Sequence, residues 1–131
     1  MAVGPSAANF ANKVLDCYTK TGTAPTAGVL YVKLHTGDPG ASATANASAN
    51  TTRGALTFAS GASGGVATAT TLPSWSSWAS GSETISHISL WDASSAGNFV
   101  WSVALTASKS VANGDTLSLS SLTLTIATVA A

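Results

Sequence analysis

Ten of the 131 side chains carry a formal charge, five Lys/Arg against five Asp/Glu, and this scarcity limits the possible folds more than any motif does. Ordinary soluble domains are about 25% charged, so the surface here has to be built from Ser, Thr, Ala, Gly and Asn. Because the formal net charge is +0, copies also lack the mutual repulsion that keeps small domains apart. The chain is therefore expected to be covered in part by neighbours. Its length fits a single domain over 1–131, large enough to bury about two-thirds of the surface it exposes when unfolded. The apolar residues come in short runs rather than in a span of about 20, so no transmembrane helix and no membrane role are expected. The first residues, MAVGPSAANF, lack the basic and apolar regions of a secretory signal, and the mature chain is expected to start near Met1. A lone cysteine, Cys17, leaves no internal disulfide, suits a reducing cytoplasm and reads as a small core residue. Lys13, Lys20, Lys33, Arg53 and Lys109 form no basic run, which disfavours nucleic acid as a partner.

Hydrophobic periodicity divides the chain into a helix and a β-rich remainder. From Ser6 to Lys20, the residues Ala7, Phe10, Ala11, Val14, Cys17 and Tyr18 recur at spacings of three and four, the mark of an amphipathic helix. Ser6 is the expected N-cap, and Gly22 supplies a left-handed stop. A helix this short is marginal alone and needs a partner surface, which makes Phe10, Val14 and Tyr18 interface candidates. From Gly28 the period becomes two, with Val29, Tyr31, Lys33 and His35 opposed to Leu30, Val32 and Leu34. The strand ends at Asp38-Pro39-Gly40, a tight-turn sequence. Residues 41–52 (ASATANASANTT) have no large apolar anchor, so they read as a flexible loop or as an arm fixed by a neighbour. Asn46 and Asn50 are its contact candidates, and the sequons they begin carry no glycosylation signal in so Ser/Thr-rich a tract.

Short strands are expected over 53–59 and 65–72, then a break at Pro73 with Trp75 and Trp78 behind it. Glu83 to Trp91 alternates Ile85, His87, Ser89 and Trp91 against Ser86, Ile88 and Leu90, and 92–98 connects it to a returning strand from Phe99 to Leu105. Trp91 and Trp101 read as core. Asn113-Gly114 marks a further turn, and a last strand over 116–129 needs a β-bulge near Ser120-Ser121 to bring Leu117, Leu119, Leu122, Leu124 and Ile126 to one face. The expected class is mainly β, an antiparallel β-sandwich or barrel over 28–129 with one N-terminal α-helix over 6–20.

Reactive groups are sparse. His35 reads as a hydrogen-bonded strand end and His87 as a core or interface histidine. Two histidines and one cysteine, far apart, make no zinc signature, and the stretch from Asp92 to Asn98 lacks the later acids of a calcium loop. No nucleophile elbow or phosphate-binding glycine loop is present. No catalytic residue, cofactor or metal is expected, and the chain does not read as an enzyme. Trp75 and Trp78 remain as a concentration of binding energy, either at an interface or plugging one end of the fold.

The run Tyr31-Val32-Lys33-Leu34-His35-Thr36-Gly37-Asp38-Pro39-Gly40, the lone Arg53, Thr84 to Ala93, Gly97-Asn98 and Val111 to Leu117 together resemble a family of small tailed-phage virion structural proteins, over roughly residues 28 to 128. Its members are head-decoration, minor capsid or tail-fibre-like proteins. The resemblance implies a virion role, a β-sandwich-like fold and symmetric assembly. The expectation is a head-decoration or minor capsid protein, made in the bacterial host cytoplasm and bound to the outer capsid surface. Its partners would be itself, as a trimer or other cyclic oligomer, and the major capsid protein. The alternative is a tail-fibre or tail-tip protein contacting a host cell-surface glycan, with Trp75 and Trp78 as candidate receptor residues.

Overall fold

A computed structural model of the chain describes residues 3–20 and 29–127. The N-terminal element forms where the periodicity puts it. Ser6 is extended, and its hydroxyl accepts a bond from the Asn9 amide at 3.3 Å, satisfying one of the donors a helix start leaves open. A π-helical turn, Ala7–Ala11, runs into α1, Asn12–Thr19; the stop expected at Gly22 lies outside the described residues. Just ahead of the turn the backbone pairs with a strand edge. The Ser6 amide donates to the Val100 carbonyl at 2.7 Å, and the Ser102 amide to the Gly4 carbonyl at 2.8 Å.

The strands among the described residues are β1 (Leu30–His35), β2 (Gly54–Leu56), β3 (Val66–Thr68), β4 (Ser74–Trp75), β5 (Glu83–Trp91), β6 (Phe99–Val111), β7 (Leu117–Ser118) and β8 (Thr123–Thr125). Four of them make an antiparallel sheet in the order β2-β1-β5-β6, while β3 pairs with β8 and β4 with β7 as two ribbons. The fold is mainly β with an N-terminal helix, and the strands close no barrel. Instead, the sheet and the ribbons share one core. Val32, Leu34, Ile88 and Leu90 from the sheet are 2% exposed or less, and they meet Trp75 and Leu117 of one ribbon together with Ala69, Trp78 and Leu122.

Several expectations are corrected. The alternation along β5 is broken where its pairing with β6 shifts register: Ile85 pairs with Lys109 of β6, but His87 pairs with Ala104, so the extra residues lie on β6. Ile85 therefore joins Ile88 and Leu90 in the core, while His87, Ser89 and Trp91 lie on the opposite face. Trp91 is only half-buried and takes no part in the core, whereas Trp101 does. The last strand is not one bulged strand. The chain leaves β4 after Ser118 and joins β3 at Thr123, so Leu117 and Leu122 are buried, Leu119 and Leu124 are half-buried and Ile126 is 52% exposed. The expected continuation to residue 129 passes outside the described residues.

Residues 41–52 are tied to their own chain. His35 donates through Nδ1 to the Ala45 carbonyl at 2.9 Å, the Thr36 amide to the Asn46 carbonyl at 2.8 Å, and the Ser48 amide to the Leu34 carbonyl at 3.0 Å. Glu83 accepts from the Ser48 hydroxyl and from the Ala49 amide. The anchors are polar, apart from the fully buried Ala43, which is why a search for large apolar residues misses them. Asn46 and Asn50 serve the same loop: Asn46 donates to the Asp38 carbonyl at 2.8 Å, and Asn50 accepts from the Thr52 amide at 3.1 Å.

Candidate functional site

Two surfaces remain without a full environment. The first is the helix. Phe10 packs edge-on against Trp101 with ring centroids 5.0 Å apart, so this member of the expected interface stripe belongs to the chain's own packing. Beyond it the helix leaves the body: α1 buries no residue, Val14 is half-buried, and Tyr18 and Leu15 are 89% and 62% exposed. Leu15 was not among the sequence candidates, because it falls beside the stripe that the three-and-four spacing defines. Isolated helices shorter than about 12–15 residues are marginal in water, and α1 has 8. Its apolar side chains thus lack the partner that would hold the helix.

Trp75 and Trp78 are not exposed contact residues. They are 6% and 2% exposed, and their indole nitrogens donate to the Thr52 and Gly81 carbonyls, each at 2.9 Å. Both belong to the core cluster of the folded chain.

The second surface is the outer face of the sheet, opposite the core. Strand register places Tyr31 beside Trp91 and Trp91 beside Phe99, while the adjacent row holds Lys33 beside Ser89. Arg53 immediately precedes β2, whose Gly54 pairs with Val32, which brings its side chain to the same face. Its guanidinium carbon lies 4.1 Å from the centre of the Trp91 ring, and the Lys33 ammonium lies 5.7 Å from it. The β5–β6 hairpin holds Arg53 in place, since Nη1 donates to the Ala93 and Ala96 carbonyls at 2.8 and 2.7 Å. That hairpin is closed by Asp92, which accepts from the Asn98 amide and side chain at 2.6 and 2.8 Å. These bonds hold the Asp92 carboxyl below its usual range. Burial, and then the nearby Arg53 charge, push the Lys33 ammonium below the ordinary lysine range.

Beside this row His35 is fully buried. Since Nδ1 donates to a carbonyl, Nε2 accepts from the Ser89 hydroxyl at 2.8 Å, and Ser89 in turn accepts from the Trp91 indole at 2.8 Å. Burial, ahead of the charges of Lys33 and His87, pushes the His35 imidazole below its ordinary range. The geometry brings a serine and a histidine together, but Ser89 is 0% exposed, and a substrate would have to part the sheet from its loop to reach it. Among the described residues no three His, Cys, Asp or Glu are grouped to hold a metal ion, and no helix is long and apolar enough to cross a membrane.

The cationic face escaped the sequence reading because its members are dispersed along the chain. The signal present was the alternation Tyr31-x-Lys33 opposite Val32 and Leu34, which puts an aromatic and a cation on one non-core face.

Residues 6–127 match the family described as Podophage GP4 fiber I protein gp80. No curated protein matches the chain.

Proposed function

The chain belongs to the Podophage GP4 fiber I protein gp80 family, and is with it a structural protein of the tailed-phage virion; from this premise we propose that it is a fibre subunit that joins its neighbours through α1. The observation that carries the reading is the helix standing off the body with Leu15 and Tyr18 exposed. Fibre assembly would cover these side chains and stabilise a helix that is too short to persist alone. The low charge fits the same role, because copies that meet through Ser, Thr and Ala surfaces have few ionic groups to desolvate on contact. The subunit works by association rather than by turnover. Head decoration remains the competing location, and the neutral surface suits it equally well. Labelling intact particles with an antibody to this chain separates the two: label confined to the tail fibres is expected, and label over the head shell would replace the fibre reading with decoration.

A further inference from the structure

Lys33 and Arg53 present an electrostatic imbalance that the folded chain resolves only in part, through the charge of Asp92 on Arg53. Two of its five cations converge on one Trp91 ring, at 5.7 and 4.1 Å, and among the described residues neither makes an ion pair with a carboxylate. The one acid nearby is Asp92; its charge acts on Arg53, but it makes no ion pair with either cation, is bonded to Asn98 and also feels the charge of Lys13 on α1. Placing like charges together in a half-buried setting costs free energy unless an anion joins them. The ring offsets part of that cost through cation–π attraction, and the hairpin carbonyls fix the guanidinium in advance, so a ligand need not order it.

The missing anion does not come readily from another copy. All five acids of the chain already have a partner within it: Asp16 the Lys20 ammonium, Asp38 the Gly40 amide, Glu83 the Ser48 hydroxyl and Ala49 amide, Asp92 Asn98, and Asp115 the Ala112 amide. An acidic protein partner is also a poor fit. Protein interfaces centre on aromatic and arginine anchors that fill pockets of the partner, but here the Arg53 guanidinium already covers the Trp91 ring at 4.1 Å, and the large exposed apolar residues, Val3, Leu15, Tyr18 and Ile126, all belong to the terminal segments of the described chain rather than to this face. What the face does offer is two cations and, paired directly across from Trp91, Tyr31 with its ring and its hydroxyl. This combination of fixed charge, a flat apolar ring and hydrogen-bonding groups suits a small ring that carries an acidic group.

We propose that the outer sheet face around Tyr31, Lys33, Arg53 and Trp91 binds an anionic saccharide, with Lys33 and Arg53 holding its acidic group and Tyr31 flanking the sugar ring. The site stands on these side chains alone, so it holds whether the chain sits on a fibre or on the head. The test is titration of the ¹⁵N-labelled full chain with four probes: oligogalacturonate, glucose 6-phosphate, a neutral galactose oligosaccharide and a polyglutamate peptide. The reporter is the indole N–H signal of Trp91, assigned with a Trp91→Phe variant. An acidic saccharide, whether carboxylate or phosphate, is expected to shift that signal, and high salt to weaken the effect. Among the described residues Lys33 makes no hydrogen bond that its replacement would break, so Lys33→Gln should keep the native spectrum while weakening binding by about tenfold, the effect of one charge-assisted contact. Arg53→Lys keeps the charge but loses the planar fork, and should weaken binding as well. The proposal is overturned if neither acidic saccharide binds at millimolar concentration, if the neutral sugar or the peptide binds equally well, or if Lys33→Gln leaves the affinity unchanged.

Discussion

At the scale of single residues, the chain relies on close approaches and on buried polar bonds in place of surface charge. Gly54 shows the first. A Cβ at this position would sit 2.3 Å from the Pro73 Cβ and 3.0 Å from the Trp75 ring, so Gly54→Ala should push the β4 ribbon off the sheet and lower stability by roughly 1–3 kcal/mol in chemical denaturation, the usual range for overpacking. His35 shows the second. Its imidazole is held neutral by burial, and its folded pKa lies below the unfolded value, so the unfolded chain binds the proton more readily. The stability that this arrangement contributes is complete above the ordinary histidine range near 6.5 and is lost as pH falls through it. Thermal unfolding between pH 7.5 and 5 should show this decline, and His35→Gln, less stable overall, should flatten it. An unchanged slope in the variant would assign the decline to another group. The sequence made the strand position of His35 plain. It did not reveal that the partners of His35 are Ala45 and Ser89, because hydrogen bonding of a lone histidine depends on non-local geometry.

At the scale of elements, regular pieces were legible and interruptions were not. β1, β5 and the turn between β5 and β6 follow from alternation and turn residues, and the helix start follows from Ser6. Ser6→Ala should remove the bond to the Asn9 amide and lower helix content and stability by about 1 kcal/mol, the typical value for an N-cap, as read by circular dichroism and denaturation. The register shift between β5 and β6 reversed the side assigned to Ile85, since a pattern of period two carries no mark of such a shift. Likewise the leucines after Asn113 gave no sign that the chain changes ribbons between Ser118 and Thr123, because both halves alternate in the same way. The 41–52 loop was read as unanchored for want of apolar residues, while its ties run to Glu83 and to β1. Glu83→Ala removes two of them, and hydrogen exchange at the Ala49 amide should become faster while amides in the middle of β5 keep their protection.

At the scale of the whole molecule, the scarcity of charge has a local structure that the totals conceal. The five acids are all occupied within the chain, two cations gather on the outer sheet face, and the largest exposed apolar side chains stand on a helix that leaves the body. A neutral Ser/Thr/Ala surface gives copies no mutual repulsion, and α1 is where the proposed fibre reading has them meet. Trp75 and Trp78, open from sequence to an interface or a plugging role, spend their area on the core, because Pro73 and Gly54 bring β4 against the sheet. The central claim is that assembly runs through α1, and the most direct test is the mass in solution of the purified chain beside a Leu15→Ser/Tyr18→Ser variant, measured by light scattering at the same micromolar concentration. An oligomer for the native chain and a monomer with unchanged β-sheet circular dichroism for the variant is the predicted result. A monomeric native chain, or an oligomer indifferent to the two substitutions, would contradict it.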